Sequence, residues 1–322
     1  MPPRLSLAQS ASKLYKENFK LKRSEAVTVL TDGAQPALAS ALAAAAKSLG
    51  AKTRTVTLAS NRPASSPIPE ARKALLASDV IVAPTRNSIT HSPEIADARK
   101  NGVRVASMPG ITESMFIDTM SGDATKVSAL SKALLKFLEK PHNVEIRTPS
   151  GTHIRFNIQT RPWHADAGDI TRPGLLCNVP FGEVFCAPRE TVGQGVIAVD
   201  YWNAQIKPTH KATLRLKNGR ISEWNPAASP LVRQLQATGT CGFILAELGI
   251  GINPAHTKPI GNTLYDEKIL GTAHIAFGMN TPFGGKNNCS VHEDVVLLKP
   301  TIVVDGTVLM DKGKFAPSLR IG

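Results

Sequence analysis

The stretch Ser290-Val-His-Glu-Asp-Val295 sets three ionisable side chains side by side, directly ahead of the apolar run Val296-Leu-Leu298. A zinc-protease helix would read H-E-x-x-H, but the position four beyond His292 is Val296, so that motif is absent. The flanking valines and leucines, with Pro300 close behind, predict a short strand. Alternate side chains of a strand share a face, so His292 and Asp294 point together while Glu293 points away. An imidazole and a carboxylate two apart make a rigid half-site for a metal ion. The other half must come from elsewhere in the chain.

Three further residues could supply it. Glu183 lies in Pro180-Phe-Gly-Glu-Val-Phe-Cys-Ala-Pro188, where a carboxylate must be paired, protonated or bound to a metal. Taken alone, such a residue is more often a salt-bridged structural one. Glu247 lies in Ala246-Glu-Leu-Gly-Ile-Gly-Ile-Asn-Pro254, whose glycines allow close approach of a ligand or mark a bend. His274 lies in Gly271-Thr-Ala-His-Ile-Ala-Phe-Gly278, where a lone histidine is usually a core residue with a satisfied hydrogen bond. Together, three carboxylates and two imidazoles could hold two divalent ions with a water between them made acidic by both. Spacing across separate strands does not by itself bring them to one place.

The elements that would position these residues fall into two halves. Up to about residue 140, short apolar runs alternate with helical stretches. Val27–Leu30, Thr53–Leu58, Asp79–Ala83 and Val103–Met108 read as strands. Ala37–Leu49, Pro69–Ala77, Pro93–Asn101 and Lys126–Leu138 read as helices. That alternation predicts a Rossmann-like α/β domain with a parallel sheet over residues 1–140. The turn Thr31-Asp-Gly-Ala-Gln35 lacks G-x-G-x-x-G, so Gly33 is read as a turn glycine rather than part of a nucleotide site. After a linker near Glu139–His142, short strands separated by glycine, proline and asparagine turns predict an antiparallel-rich α+β metal-binding domain over residues 141–322. Asn218-Gly219, between Thr213–Lys217 and Arg220–Glu223, is a hairpin signal, and Pro230–Ala237 reads as a helix.

The 322 residues carry 38 Lys+Arg against 25 Asp+Glu, a formal net charge of +13. The basic residues are dispersed, and three tryptophans with three tyrosines offer little for base stacking, so nucleic acid is not the expected partner. No run reaches the roughly 18 apolar residues of a membrane span, and the N-terminus has no apolar signal segment, which leads to an expectation of a cytoplasmic protein. Cys177, Cys186, Cys241 and Cys289 are far apart with no C-x-x-C, which gives no reason to expect a zinc ribbon or a disulfide framework.

At the candidate ligands the chain resembles the aminopeptidase T/aminopeptidase S family of metallopeptidases. The strings are GEVFCAP, ELGIGINP, NTLYDEKILGTAHIAFG, GGKNNCSVHED and DGTVLMDKGK, in matching order over about residues 175–315. The resemblance implies that Glu183, Glu247, His274, His292 and Asp294 hold two divalent ions (cobalt, zinc or manganese), with Glu183 and Glu247 also serving in catalysis. It further implies a homodimer releasing N-terminal amino acids from small peptides through a metal-activated water. The family's active-site tyrosine, seven residues beyond the histidine, falls on Thr281, in Asn280-Thr-Pro-Phe283.

In its length the chain also resembles a second branch of the same fold, the 2,5-dihydroxypyridine 5,6-dioxygenases. These use one iron(II) on two histidines and an aspartate to cleave a small ring compound. His292 and Asp294 fit two of those roles, whereas the branch's other histidine corresponds to Glu247. Thr90-His-Ser-Pro-Glu94 is similar to these shorter members and implies a catalytic, cleft-lining role for His91. The same residues read equally as a helix start, with Ser92 as cap and Pro93 in the first turn.

Overall fold

The computed structural model describes residues 4–140 and 143–319; Pro141 and His142 of the expected linker lie outside them. The chain forms two compact units. The first is Met1–Ala124 with Asp166–Phe181, and the second is Thr125–Ala165 with Gly182–Gly322.

The first unit contains helices α1 (Leu7–Lys13), α2 (Pro36–Ser48), α3 (Arg72–Leu76), α4 (Pro93–Lys100) and α5 (Glu113–Ser121). Its first four strands are β1 (Ala26–Thr31), β2 (Lys52–Thr57), β3 (Val80–Ala83) and β4 (Arg104–Ser107). Strands β3 and β4 are buried throughout, the pattern of a sheet covered on both faces. Leu30, Ile68, Leu75, Ile81, Ile95 and Val105 pack into one apolar cluster beside it.

Helix α6 (Ala124–Phe137) leads into β5 (Asn143–Arg147), β6 (His153–Asn157) and β7 (Trp163–Asp166). The short β8 (Leu176–Asn178) pairs with β4, giving a parallel sheet of order β2-β1-β3-β4-β8. That returning strand, three residues long, is too short to stand out in the sequence. Strands β9 (Glu183–Cys186), β10 (Gly193–Val199), β11 (Ala212–Lys217) and β12 (Arg220–Trp224) precede helix α7 (Ser229–Gln236). Then come β13 (Leu245–Gly251), α8 (Thr263–Asp266), β14 (Ala273–Gly278), β15 (His292–Leu297), β16 (Thr301–Val304), β17 (Thr307–Asp311) and β18 (Lys314–Phe315).

They build an eight-stranded sheet of order β12-β11-β10-β6-β5-β16-β17-β18 and a five-stranded one of order β15-β14-β13-β9-β7. The fold is thus mixed α/β, with one parallel sheet and two in which the registered pairs are antiparallel. The β11–β12 hairpin turns at Asn218 and Gly219, both at positive φ (51° and 70°), which is what a two-residue primed turn demands. No helix among the described residues is long and apolar enough to cross a membrane.

The expectation drawn from the dispersed cysteines needs correction: Cys241 and Cys289 form a disulfide across 48 residues, with Cα atoms 5.6 Å apart. Pairing at that separation is a tertiary event that spacing does not reveal. A loop of this length corresponds to about 4 kcal/mol in the chain-entropy picture. Reductant should therefore lower the thermal unfolding midpoint of the native chain by several degrees and leave Cys241→Ser unmoved, since Cys177 and Cys186 are buried thiols outside any disulfide.

Packing at α8 adds a pH dependence. His256 is 1% exposed and stacks on Tyr265 with ring centroids 3.8 Å apart. Burial pulls its pKa down to about 3, with Lys268 acting the same way and the Tyr265 carbonyl opposing. The unfolded chain then binds a proton that the folded one refuses. This contribution is fully present above about pH 6.5 and is lost as pH falls toward 3. Urea unfolding of the native chain should weaken by a few kcal/mol across that window, and His256→Phe should flatten the dependence. The variant comparison is required because Asp266, raised to about 6 by burial, acts in the opposite sense.

Candidate metal centre

One face of the five-stranded sheet carries the candidate ligands. Across the antiparallel ladder Glu183 sits opposite Gly251, and Phe185 opposite Gly249, which in turn faces His274. Glu247 sits opposite Ala276, Ala276 opposite Asp294, and Gly278 opposite His292. Residues directly opposite share a face, as do residues two apart. The acids and imidazoles are therefore interleaved with Gly249, Gly251, Ala276 and Gly278. The other face carries Val184, Leu248, Ile250, Ile275 and Val295, each at most 1% exposed. A Cβ on Gly249 would lie 1.9 Å from His274 Nε2, so the glycine is the space the imidazole occupies.

The structure brings Glu183, Glu247, His274, His292 and Asp294 together. His274 Nε2 lies 3.1 Å from Glu183 Oε2 and 3.3 Å from Glu247 Oε1. His292 Nε2 lies 3.2 Å from Glu247 Oε2 and 3.5 Å from Asp294 Oδ2. Donors set tetrahedrally at the usual 2.0–2.2 Å from a first-row ion stand about 3.3–3.6 Å apart, close to these separations. The result is two donor triangles, Glu183–Glu247–His274 and Glu247–His292–Asp294, which meet at Glu247.

The residues around them fit a metal. His292 Nδ1 lies 2.7 Å from the Met279 carbonyl. It donates there, which leaves the Nε2 lone pair facing Glu247 and Asp294. Asp294 Oδ1 and His274 Nδ1 are buried with no hydrogen-bond partner among the described residues. An orphaned carboxylate oxygen beside a donor triangle is explained by a cation. Glu293 turns to the other side, where its carboxylate accepts from Trp202 Nε1 at 2.9 Å and from Gln234 Nε2.

Two members of the cluster escaped the reading of the sequence. Glu267 forms a third group with His274 and Asp294, their ligand atoms lying within 4.8 Å of one another. Lys268 Nζ lies 2.6 Å from Glu183 Oε1 and 2.5 Å from Glu267 Oε1. The signal was the run Asp266-Glu-Lys268 inside NTLYDEKILG, three charges that α8 and the turn after it carry into the interior.

Four carboxyl groups, two imidazoles and one lysine crowd together here. Burial pushes Glu183 up, but the Lys268 charge and His274 outweigh it and hold the acid well below the carboxylate range. Glu247 is likewise lowered, burial being overcome by hydrogen bonds to both imidazoles. Burial depresses the imidazoles, yet the surrounding acids raise both well above the ordinary histidine value. Burial raises Glu267 to about 8 against the pull of Lys268, with the Asp294 charge adding to the rise. A face that raises its imidazoles this way favours added positive charge.

His91 belongs to the first unit, in the exposed turn before α4, where its N–H donates to Ser65 Oγ at 3.3 Å. Ser92 takes the N-cap position, but its hydroxyl donates to the Ser66 carbonyl instead of capping the helix. Thr281 opens a single exposed turn ending at Phe283, whose ring meets His292 edge-on at 5.7 Å.

A family model described as 2,5-dihydroxypyridine 5,6-dioxygenase matches residues 10–317. The chain belongs to that family. No curated protein sequence matches it. Among solved structures, 2,5-dihydroxypyridine dioxygenase from Pseudomonas putida KT2440 is similar with a TM-score of 0.81 at 19% identity, over 98% of each chain. Wild-type AmpT from Thermus thermophilus is similar with a TM-score of 0.69 at 17% identity, over 96% of this chain and 98% of that one. At such identities both likenesses are ones of fold. The dioxygenase family is thus the one the sequence matches, and the kinship to aminopeptidase T is a shared architecture.

Proposed function

We propose that the chain is a divalent-metal hydrolase whose two ions share the Glu247 carboxylate, releasing N-terminal residues from short peptides. The observation that carries this reading is the opposed use of that carboxylate, Oε1 toward His274 and Oε2 toward His292. A one-ion triad of two histidines and an acid has no need of an imidazole on each side of a bridging acid. Two ions there would polarise a scissile carbonyl and acidify water. Glu183 and Asp294 each offer one ion an oxygen, and the Glu267 carboxyl stands within reach of His274 and Asp294. Phe283 and Phe185, ring centroids 5.7 Å apart, give the His292 side an apolar wall suited to an apolar N-terminal side chain. The fold, shared with both AmpT and the dioxygenase, accommodates this reading.

Family membership favours a second reading, an iron(II) enzyme cleaving a dihydroxypyridine-like ring. It would use His292 and Asp294 and leave Glu183 dispensable. The two separate cleanly by experiment. Chains loaded anaerobically with zinc, cobalt, manganese or iron(II) are assayed for metal content, for amino acid release from peptides, and for oxygen uptake with hydroxypyridines. Two ions with amino acid release support the hydrolase. One iron with oxygen uptake overturns it.

A further inference from the structure

Lys268 is 1% exposed, and an ammonium in the interior persists only where acids hold it. Glu183 and Glu267 do so, at 2.6 Å and 2.5 Å. The contact with Glu183 has a further effect, because Glu183 is also a corner of one donor triangle. Its Oε1 is committed to the lysine, and only Oε2 faces His274. That position therefore has a one-oxygen ligand whose charge is already shared with a cation, and a second cation arriving there meets like charge. Its imidazole also lacks the second anchor of the other, since among the described residues His274 Nδ1 meets no hydrogen-bond partner, whereas His292 Nδ1 donates to the Met279 carbonyl. Ligand histidines held through their second nitrogen bind metal more tightly. Among the described residues Asp294 pairs with an imidazole, His292, and with no lysine or arginine.

We propose that Lys268 is a resident cation of the centre that makes its two metal positions unequal. Glu247–His292–Asp294 is the tight position, and Glu183–Glu247–His274 is a weak, exchangeable one. The inference rests on the two-ion reading and adds to it that the second ion follows the free metal concentration while the first stays in place.

Equilibrium dialysis of the full, metal-stripped chain against cobalt(II) and zinc(II) tests this. The native chain should show two classes of site, at least about tenfold apart in Kd. Lys268→Met should tighten the weaker class by about 10- to 100-fold and leave the tighter one unmoved. Lys268→Gln, which removes the charge while keeping a donor toward Glu183 and Glu267, should tighten that class likewise. Circular dichroism and retention of the tight ion report folding, and if Lys268→Met fails to fold, the Lys268→Gln shift decides. Two equal classes, or a weak class indifferent to the variants, overturn the role of Lys268 and leave the two-ion reading standing. One ion in the native chain and two in Lys268→Met support the role of Lys268 and overturn two-ion catalysis by the native protein. One ion in every variant overturns both.

Discussion

Glu247→Ala is expected to strip both divalent ions from the chain, weakening each by more than about 100-fold, beyond the loss from residues that only orient a ligand. The reason is geometric. Glu247 is the one residue common to both donor triangles on the sheet face, each oxygen turned to a different imidazole. Asp294→Ala should cost one ion, because Asp294 stands beside His292 alone in those two triangles. Elemental analysis after reconstitution reads both variants directly. Retention of one full equivalent by Glu247→Ala would show that the carboxylate is not shared.

The second large effect is expected from a residue without a side chain. Gly249→Ala would put a methyl group 1.9 Å from His274 Nε2 and 2.0 Å from its Cε1. Gly249 does not have positive φ, so alanine meets no backbone penalty and the substitution tests space alone. Neither partner has room to yield: β13 is buried along its length and His274 is 1% exposed. Overpacking of this kind costs about 1–3 kcal/mol, and the displaced imidazole should take the ion beside Glu183 with it. Urea denaturation and metal content measure the two losses. Adding His274→Ala to Gly249→Ala should recover part of the stability but none of the metal. If the single variant keeps native stability and two ions, the close packing of Gly249 on His274 is not what shapes the centre.

Much of this was legible in the sequence because the signals are local. The alternation of apolar strands and helices in the first half, the Asn218-Gly219 turn, and the period-two placement of His292 and Asp294 each depend on neighbours a few residues away. What escaped depends on distance. Lys268 reads as one charge in a charged stretch until the fold carries it against Glu183, 85 positions earlier (268 minus 183). Cys241 and Cys289 carry no signal until the segments leading into β13 and β15 meet. Gly249 and Gly251 could be read as a bend, and register with β9 and β14 shows them instead to be clearance. A strand too short to carry a pattern, β8, left no trace.

The division of labour between the two faces of the five-stranded sheet bears on how such a protein can change. Leu248, Ile250, Ile275 and Val295 secure folding on one side, while the opposite side is donors set among glycine and alanine. Exchanging one donor for another of similar size alters charge and reactivity while the apolar packing on the far face stays as it is. A scaffold wired this way is evolvable at low folding cost: a new reaction needs new contents in a socket, not a new core.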